Sequence, residues 1–300
     1  MGLGGVSLAG CLGRRGWIGE LCAHFRLQYA AGLVVLGIAS AALGWWPGAC
    51  LAGAAALLNL WRVPSLYAIR RSPSASGPTV RVLFANVLHS NHRPARLLDL
   101  LKAHAPDIVI LAEFSPTWLP ALSSLSPAYP VSTFHTYRTS YTIGLMSRVP
   151  VDDLRIVHPG PQGLPTLVGC AHVGARRLTI IGTHPLSPTT PRRARLRDEQ
   201  LRTLARLAAA EPGPVLLIGD LNTTSWSPIF GDVLRAGGLR DSREGFGLQT
   251  TWPAPLRWCG LSIDHGLVSP GVTVRRREVG PWIGSDHFPI LLDLDLGVGG

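Results

Sequence analysis

The stretch "LIGDLNTTSWSP" at 217–228 carries two polar side chains at the end of an apolar strand. The apolar run stops at Asp220, and Asn222 follows two positions later, so both side chains point to the same face of the strand. Burying an unpaired carboxylate is costly, which favours a pair that faces a site rather than a core. A plain turn or a helix N-cap also explains an isolated Asp-x-Asn, because both side chains bond their own backbone. Matching chemistry at other strand ends decides between these interpretations.

Short apolar runs bounded by turns recur on both sides of this stretch and alternate with helical periodicity. Strands are predicted at 80–85, 107–112, 142–147, 177–183, 214–219, 261–268 and 288–294. Helices are predicted at 93–104, 191–210 and 227–237. Mixed strands and helices without a repeat or a Gly-rich phosphate loop predict an α/β sandwich of two packed sheets.

Polar side chains that bind metals or carry protons stand at six of the predicted strand ends. They are Asn86, Glu113, His184, the pair Asp220 and Asn222, Asp264, and the run Ser285, Asp286 and His287. So many at equivalent positions predict one shared edge of the fold where they meet. Carboxylates and amides without a cysteine or paired-histidine cluster suit a hard cation, Mg²⁺ or Mn²⁺, rather than zinc. Together with a His–Asp pair, such a site predicts phosphoryl-transfer chemistry.

This set of residues closely resembles the endonuclease/exonuclease/phosphatase superfamily, over about 80–296 and in the same order. The resemblance implies a four-layer α/β/β/α sandwich and a Mg²⁺-dependent hydrolase of a phosphodiester or phosphomonoester. One departure is Leu88, because the apurinic-site nucleases of this superfamily carry an acidic residue at the matching position. The departure argues against that subfamily.

The resemblance also implies a role for each residue of the set. Glu113 is expected to be the principal metal ligand, assisted by Asn86 and, across the site, by Asp286. Asp220 is expected to activate or align the attacking water, and Asn222 to hold the water and the phosphate.

The remaining members are expected to act on the phosphate. His287 is expected to contact the scissile phosphate and to be oriented by Asp264. His184 is expected to donate to a non-bridging oxygen or assist the leaving group, and Ser285 to bind substrate. His265 is predicted to pack on the opposite face of its strand. Trp252 in "TTWP" is predicted either to form an aromatic wall for substrate or to pack in the core or rim.

The N-terminal quarter of the chain has no charged residue between Arg26 and Arg62. At about 1.5 Å per residue this run is too long for one untilted span of a hydrocarbon layer about 30 Å thick. The Trp46-Pro47-Gly48 break predicts a transmembrane helical hairpin, with helices at roughly 28–45 and 49–68. An apolar core helix pair of a soluble protein is the alternative. "AHFRLQY" followed by this hairpin is similar to a bacterial membrane-anchored branch of the superfamily.

These features divide the chain into four parts: an N-terminal cytoplasmic segment at 1–26, the hairpin at 27–69, a linker at 70–79 and the catalytic domain at 80–300. Arginines flank the hairpin on both sides, which puts both of its ends in the cytoplasm. The expected location is the inner or plasma membrane, as a multi-pass protein. A single span would instead send the catalytic domain outside.

The net charge of +10 indicates an anionic partner, although Lys102 is the only lysine and arginine is abundant throughout. The arginines of 191–210 are predicted to lie on the solvated face of an amphipathic helix.

A membrane tether favours a lipid-linked phosphate as substrate, with DNA or RNA as the alternative, and no protein partner is indicated. A non-catalytic membrane scaffold is the alternative of another class, but unpaired buried charges such as Glu113, Asp220 and His287 would only cost it stability.

Overall fold

The structure is a computed structural model that describes residues 2–11, 13, 16–68, 77–138 and 140–297. The predicted linker at 70–79 lies mostly outside these residues. The helices are α1 (Leu3–Cys11), α2 (Trp17–His24), α3 (Arg26–Ala42), α4 (Trp46–Leu60), α5 (Pro64–Tyr67), α6 (Ala95–His104), α7 (Leu119–Ser123), α8 (Pro191–Ala210) and α9 (Pro228–Gly237). The strands are β1 (Thr79–Asn86), β2 (Ile108–Ala112), β3 (Val131–His135), β4 (Ile143–Ser147), β5 (Val151–Val157), β6 (Thr166–Val173), β7 (Arg176–Thr183), β8 (Val215–Asp220), β9 (Arg240–Asp241), β10 (Asp264–Val268), β11 (Val272–Val279) and β12 (Ile290–Leu296).

The strands form two six-stranded sheets in the orders β11-β12-β1-β2-β4-β3 and β5-β6-β7-β8-β10-β9. Their inner faces pack on each other through branched side chains such as Val82 and Ile110 from one sheet and Ile180 and Leu216 from the other. The central strands β1, β2 and β8 are buried on both faces over most of their length, which is why their sequences are continuous apolar runs.

Helices cover the outer face of each sheet. Leu97 of α6 packs on the first sheet, while Leu201 of α8 and Ile229 of α9 pack on the second. The two-sheet α/β sandwich predicted from the sequence is therefore confirmed, and its layers run helix, sheet, sheet, helix.

The start of α8 is set by local sequence. The Thr190 hydroxyl accepts a hydrogen bond from the backbone N–H of Arg193 at 3.2 Å, and Pro191 occupies the first turn, where its missing N–H has no cost. Of the arginines in the first turns of α8, Arg193 and Arg197 lie at the edge of the second sheet where β7 and β8 end, while Arg192 and Arg195 are exposed.

Helices α3 and α4 pack against each other, but they differ from the predicted transmembrane hairpin. Within the described residues, no single helix is long and apolar enough to cross a membrane; α2 and α3, bent by 67° at their junction, meet the length and composition criteria only as a pair. Helix α4 ends at Leu60 rather than near position 68, because a turn intervenes and Pro64 begins a new helix. Its 15 residues rise only about 22 Å.

Candidate active site

The two sheets bring all six polar strand ends to one edge of the sandwich. Strands β1 and β2 run parallel, as do β7 and β8, so their carboxyl ends meet pairwise. Strand β10 is antiparallel to β8 and begins with Asp264 opposite Asp220. Strand β12 is antiparallel to β1, which sets the residues before it beside the end of β1.

The centre of the site is a group of two carboxylates, an amide and an imidazole. Asn86 Nδ2 donates to Glu113 Oε1 at 2.8 Å and to Asp220 Oδ2 at 3.2 Å. His184 Nε2 lies 3.5 Å from the same two carboxylate oxygens. The ligand atoms of Glu113, His184 and Asp220 all lie within 4.8 Å of one another. Two carboxylates at this spacing are a donor set that fits a hard divalent cation.

Backbone strain accompanies this centre. Glu113 has φ +58° and Asn222 has φ +50°. Residues other than glycine adopt this left-handed backbone region at a cost of about 1 kcal/mol or more. Asn222 is held there by its own backbone N–H, which donates to Asp220 Oδ1 at 2.9 Å, and by its side chain, which donates to Pro185 O at 3.0 Å. The carboxylate oxygen Oδ2 of Asp220 is thereby left facing the imidazoles.

His287 and Asp264 form a buried pair. His287 Nδ1 lies 2.9 Å from Asp264 Oδ2 and 3.2 Å from Oδ1, while His287 Nε2 lies 3.7 Å from Asp220 Oδ2. Burial lowers the pKa of His287, but the carboxylates of Asp264 and Asp220 outweigh it and raise the pKa to about 10. Burial raises the pKa of Asp220 to about 6, against the opposing charges of His287 and His184. The imidazole is thus kept protonated at neutral pH.

Ser285 and Asp286 hold the segment before β12 in place. The Ser285 hydroxyl donates to Asn86 O at 2.8 Å and accepts from the His287 backbone N–H at 3.0 Å, so it joins the end of β1 to the segment before β12. Asp286 Oδ2 accepts from the Trp252 indole at 3.0 Å.

Six of the nine predicted residues line one cavity of about 540 Å³: Glu113, His184, Asp220, Asn222, Asp286 and His287. The other three, Asn86, Asp264 and Ser285, lie behind them and contact them. As predicted, His265 packs away from the site, where its ring contacts Phe230 and Nε2 lies 2.8 Å from Thr223 O.

Sequence reasoning missed several residues that line the same cavity. They are Trp17, Leu21, His24, Phe25, Ser140, Tyr141, Ser187, Pro188, Thr189, Arg193, Leu261 and Ile263. Trp252 was predicted as one of two alternatives, and it forms part of the cavity wall. Local patterns carry no signal for the N-terminal members, because their neighbours in space are far along the chain.

The arginines of α8 do not all face solvent, which corrects the prediction. Arg193 donates to Ser187 O at 2.9 Å and to Tyr141 Oη at 3.1 Å, at the cavity wall. Arg197 is fully buried, pairs with Glu20 of α2, and donates to Asn222 O at 2.6 Å. The helix start at Thr190 turns these two side chains toward the site, a rotation that hydrophobic periodicity does not determine.

The Glu20–Arg197 pair joins the N-terminal helices to the active-site loop. Glu20 also accepts from the Ser227 hydroxyl at 2.8 Å, and Arg197 holds the carbonyl of Asn222. Segment 1–26 therefore contacts the predicted catalytic domain through a buried ion pair.

Glu20→Ala is expected to lower the free energy of unfolding by about 1.5–3 kcal/mol, because buried Arg197 loses one of its two carboxylate partners and keeps only the carboxylate of Asp198. Denaturant unfolding of the full chain in detergent measures the change. Asp152→Ala is the control, since Asp152 and His172 pair at the surface, and its effect should stay below about 1 kcal/mol. Equal effects of the two substitutions would contradict the importance of the buried pair.

Comparison with known proteins identifies one matching family. A sequence model of the Endonuclease/Exonuclease/phosphatase family matches residues 83–287. No curated protein matches the chain.

Three solved structures illustrate the likeness in fold. A humanised D. rerio TDP2 is 21% identical with a TM-score of 0.61, over 72% of this chain and 98% of that one. An endonuclease/exonuclease/phosphatase from Beutenbergia cavernae is 21% identical with a TM-score of 0.58, over 73% and 72%. The 3′ phosphatase NExo from Neisseria, bound to product DNA hairpin, is 20% identical with a TM-score of 0.57, over 72% and 99%. At these identities the likeness shows the fold alone.

Proposed function

The chain belongs to the endonuclease/exonuclease/phosphatase family, and from this premise we propose that it hydrolyses a phosphodiester or phosphomonoester with Mg²⁺, or Mn²⁺ in its place. Members of the family are typically metal-dependent hydrolases of phosphoester bonds. The observation that carries the proposal is the arrangement of Glu113, His184 and Asp220, whose ligand atoms lie within 4.8 Å of one another beside the His287–Asp264 pair.

Glu113 is the proposed principal ligand of the cation, with Asp286 across the cavity and Asn86 assisting. A divalent cation held by these residues would supply charge neutralisation and polarisation of the phosphate. The Asn86 amide presents its nitrogen to the two carboxylates, while its oxygen accepts from the Leu88 N–H at 3.1 Å. Direct ligation by Asn86 thus requires a rotation of its amide, and in the present orientation Asn86 positions the carboxylates.

The remaining residues supply proton transfer and hold the phosphate. Asp220 Oδ2 accepts the proton of the attacking water, a role favoured by burial, which raises the pKa of this carboxyl above its usual range. Asn222 holds the water and the phosphate. His287 Nε2 donates to a phosphate oxygen while Asp264 holds Nδ1, and His184 donates to a second oxygen or to the leaving group. Ser285 contributes by fixing the His287 backbone.

A lipid-linked phosphate is the proposed substrate, because the cavity that holds the carboxylates is also lined by apolar side chains of the N-terminal helices, such as Trp17 and Leu21. A nuclease is the second candidate. It is favoured by the net charge of +10 and by the fold that the chain shares with a D. rerio TDP2 structure complexed with single-strand DNA product.

A substrate screen tests the proposed function. Detergent-purified full chain is assayed against bis-p-nitrophenyl phosphate, lipid phosphates and DNA, each with Mg²⁺, with Mn²⁺ and with EDTA. Cation-dependent hydrolysis of the model ester supports the hydrolase, and the ratio of lipid phosphate to DNA turnover separates the two candidates. Absence of hydrolysis of every ester with both cations would support the non-catalytic scaffold instead.

The proposal extends to membrane attachment at the inner or plasma membrane, with the catalytic part in the cytoplasm. The outer surface of α3 and α4 exposes large apolar side chains, with Val35 66% and Leu51 72% exposed. The start of α3 and the short helix α5 that follows α4 contact the catalytic part: Gln28 Nε2 donates to Cys259 O at 2.6 Å, and Leu66 O of α5 accepts from the Gly245 N–H at 2.9 Å. A helix pair that leaves and returns to the same face is compatible with insertion from one side of a bilayer.

A reporter fused after Gly300 in bacteria is expected to discriminate the two sides of the membrane. With both ends of the pair in the cytoplasm, a phosphatase reporter should be inactive and a fluorescent reporter bright. A fusion at Trp45, in the turn between α3 and α4, is the matched control for insertion. An active phosphatase after Gly300 would mean an outward-facing catalytic part.

A further inference from the structure

The cavity at the strand ends has two chemically different parts. One part carries the ionisable groups of the site, including Glu113, Asp220 and His287. The other part is apolar and is formed by α2, by the residue between α2 and α3, and by the segment from Trp252 to the start of β10. The side chains of this apolar part are Trp17, Leu21, Phe25, Trp252, Leu261 and Ile263, and the His24 imidazole at the end of α2 also lines the cavity. A phosphate ester that fills the cavity therefore meets charge in one part and hydrocarbon in the other.

The N-terminal members of the apolar part are anchored on both sides of the bend between α2 and α3. The Trp17 indole donates to Pro188 O at 2.8 Å, and Gln28 Nε2 donates to Cys259 O at 2.6 Å. The buried ion pair of α2 and α8 lies between these two contacts in sequence. The α2 wall is thus part of the folded cavity rather than a loosely attached strap.

The apolar part suits hydrocarbon better than a nucleobase. The indole N–H of Trp17 is taken by a backbone carbonyl, and that of Trp252 by Asp286. Leu21 and Ile263 have no polar side-chain atoms. On the α2 wall, Nε2 of His24 is the polar side-chain atom at the cavity that has no partner in the described residues, so a base edge would lose water here and find little beyond that one nitrogen. A hydrocarbon chain, by contrast, gains from leaving water.

The apolar part also adjoins the exposed apolar helix. Phe25 lines the cavity, is 39% exposed, and immediately precedes α3. Further along α3, Val35 and Ile38 are each 66% exposed. A chain that leaves the cavity past Phe25 therefore meets another apolar surface.

We infer that the apolar part is a subsite for a hydrocarbon chain attached to the scissile phosphate. The substrate class is accordingly a phosphate ester of a long alkyl, acyl-bearing or isoprenyl group. The inference rests on the proposed hydrolase function and narrows its substrate. The phosphate lies among the carboxylates and imidazoles, and the chain follows α2 toward Phe25.

Two chromogenic diesters test this subsite: methyl p-nitrophenyl phosphate and octyl p-nitrophenyl phosphate. They share one leaving group, so the difference in kcat/KM reports the alkyl chain. Each methylene that leaves water for an apolar site raises binding about 4-fold, so the octyl ester should exceed the methyl ester at least about 10-fold. The full chain is used at one fixed detergent concentration, with the octyl ester below its micelle-forming concentration.

Leu21→Ser is expected to lower the octyl-to-methyl ratio of kcat/KM at least about 3-fold. Ile18→Ser is the matched control, because Ile18 lies on the same helix, is 65% exposed and is absent from the cavity lining. It should leave the ratio unchanged and so corrects for altered partition into detergent. Phe25→Ser, at a partly exposed position, provides a second test in the same direction if Leu21→Ser does not fold.

Three results would overturn the subsite: a wild-type ratio near one, equal loss in Leu21→Ser and Ile18→Ser, or a higher kcat/KM on a single-stranded oligodeoxynucleotide than on the octyl ester. If no ester is hydrolysed with Mg²⁺ or Mn²⁺, the hydrolase proposal fails separately. Calorimetric binding of octyl phosphate and methyl phosphate then decides the subsite. At least about 10-fold tighter binding of octyl phosphate supports it, and equal affinity overturns it.

Discussion

Glu113→Gln is expected to lower kcat/KM at least ~10²-fold while the fold survives, because it removes a charge from the proposed cation site. The carboxamide has the same shape, and its oxygen can still accept the hydrogen bond that Asn86 gives to Glu113 Oε1 at 2.8 Å. The variant should also need more Mg²⁺ for half-maximal activity. Steady-state kinetics across a Mg²⁺ titration measure both effects.

The control for this substitution is Asp152→Asn, which neutralises an exposed carboxylate on β5 and should leave the kinetics unchanged. Unfolding curves of Glu113→Gln and the wild type establish that the loss is not a loss of fold. Wild-type activity in EDTA would exclude the metal mechanism, and wild-type kinetics in Glu113→Gln would exclude its role as principal ligand.

Asp264→Asn is expected to lower kcat/KM and to move the pH optimum down. The Asp264 carboxylate raises the pKa of His287, so its removal lets the imidazole lose its proton at lower pH. If the protonated imidazole is the active form, activity falls as pH rises through this pKa, and the alkaline limb of the profile shifts toward neutral pH.

His287→Ala should cost about as much as the double substitution with Asp264→Asn, since residues that act as a unit are not additive. The geometry favours this result: within the described part of the chain, the hydrogen bonds to the Asp264 carboxylate come from the His287 ring. The competing interpretation is a carboxylate that only stabilises the fold, for which the costs add, the optimum stays and the melting temperature falls. Measurement of kcat/KM for all four proteins at several pH values decides between them.

The convergence of the polar strand ends was predicted from their number, and the strand order and directions in the structure explain it. Parallel pairs β1–β2 and β7–β8 must end at the same edge. Asp264 and His287, 23 positions apart, meet because β10 and β12 begin at that edge. Their roles as ligand, base and acid remain predictions.

The strands that sequence reasoning missed lie mainly at sheet edges. β3, β5, β9 and β11 are the four edge strands, and none had been predicted. β5 and β11 are largely half-buried or exposed, with the sequences VDDLRIV and VTVRRREV. An edge strand has only one strand neighbour and less buried surface, so it needs no continuous apolar run. β6 was missed although it lies inside its sheet, because Gly169, Cys170 and His172 interrupt its apolar pattern.

The sequence by itself determined the layered α/β core, because hydrophobic periodicity depends on neighbours along the chain, and its six polar strand ends indicated a shared edge. Only the tertiary structure decided that α2 forms a wall of the cavity. That wall depends on contacts such as Glu20 with Arg197, 177 positions apart, and on the rotation of α8 that buries Arg197. Such contacts leave no local pattern: an arginine that pairs with a distant glutamate has the same sequence surroundings as one that faces water.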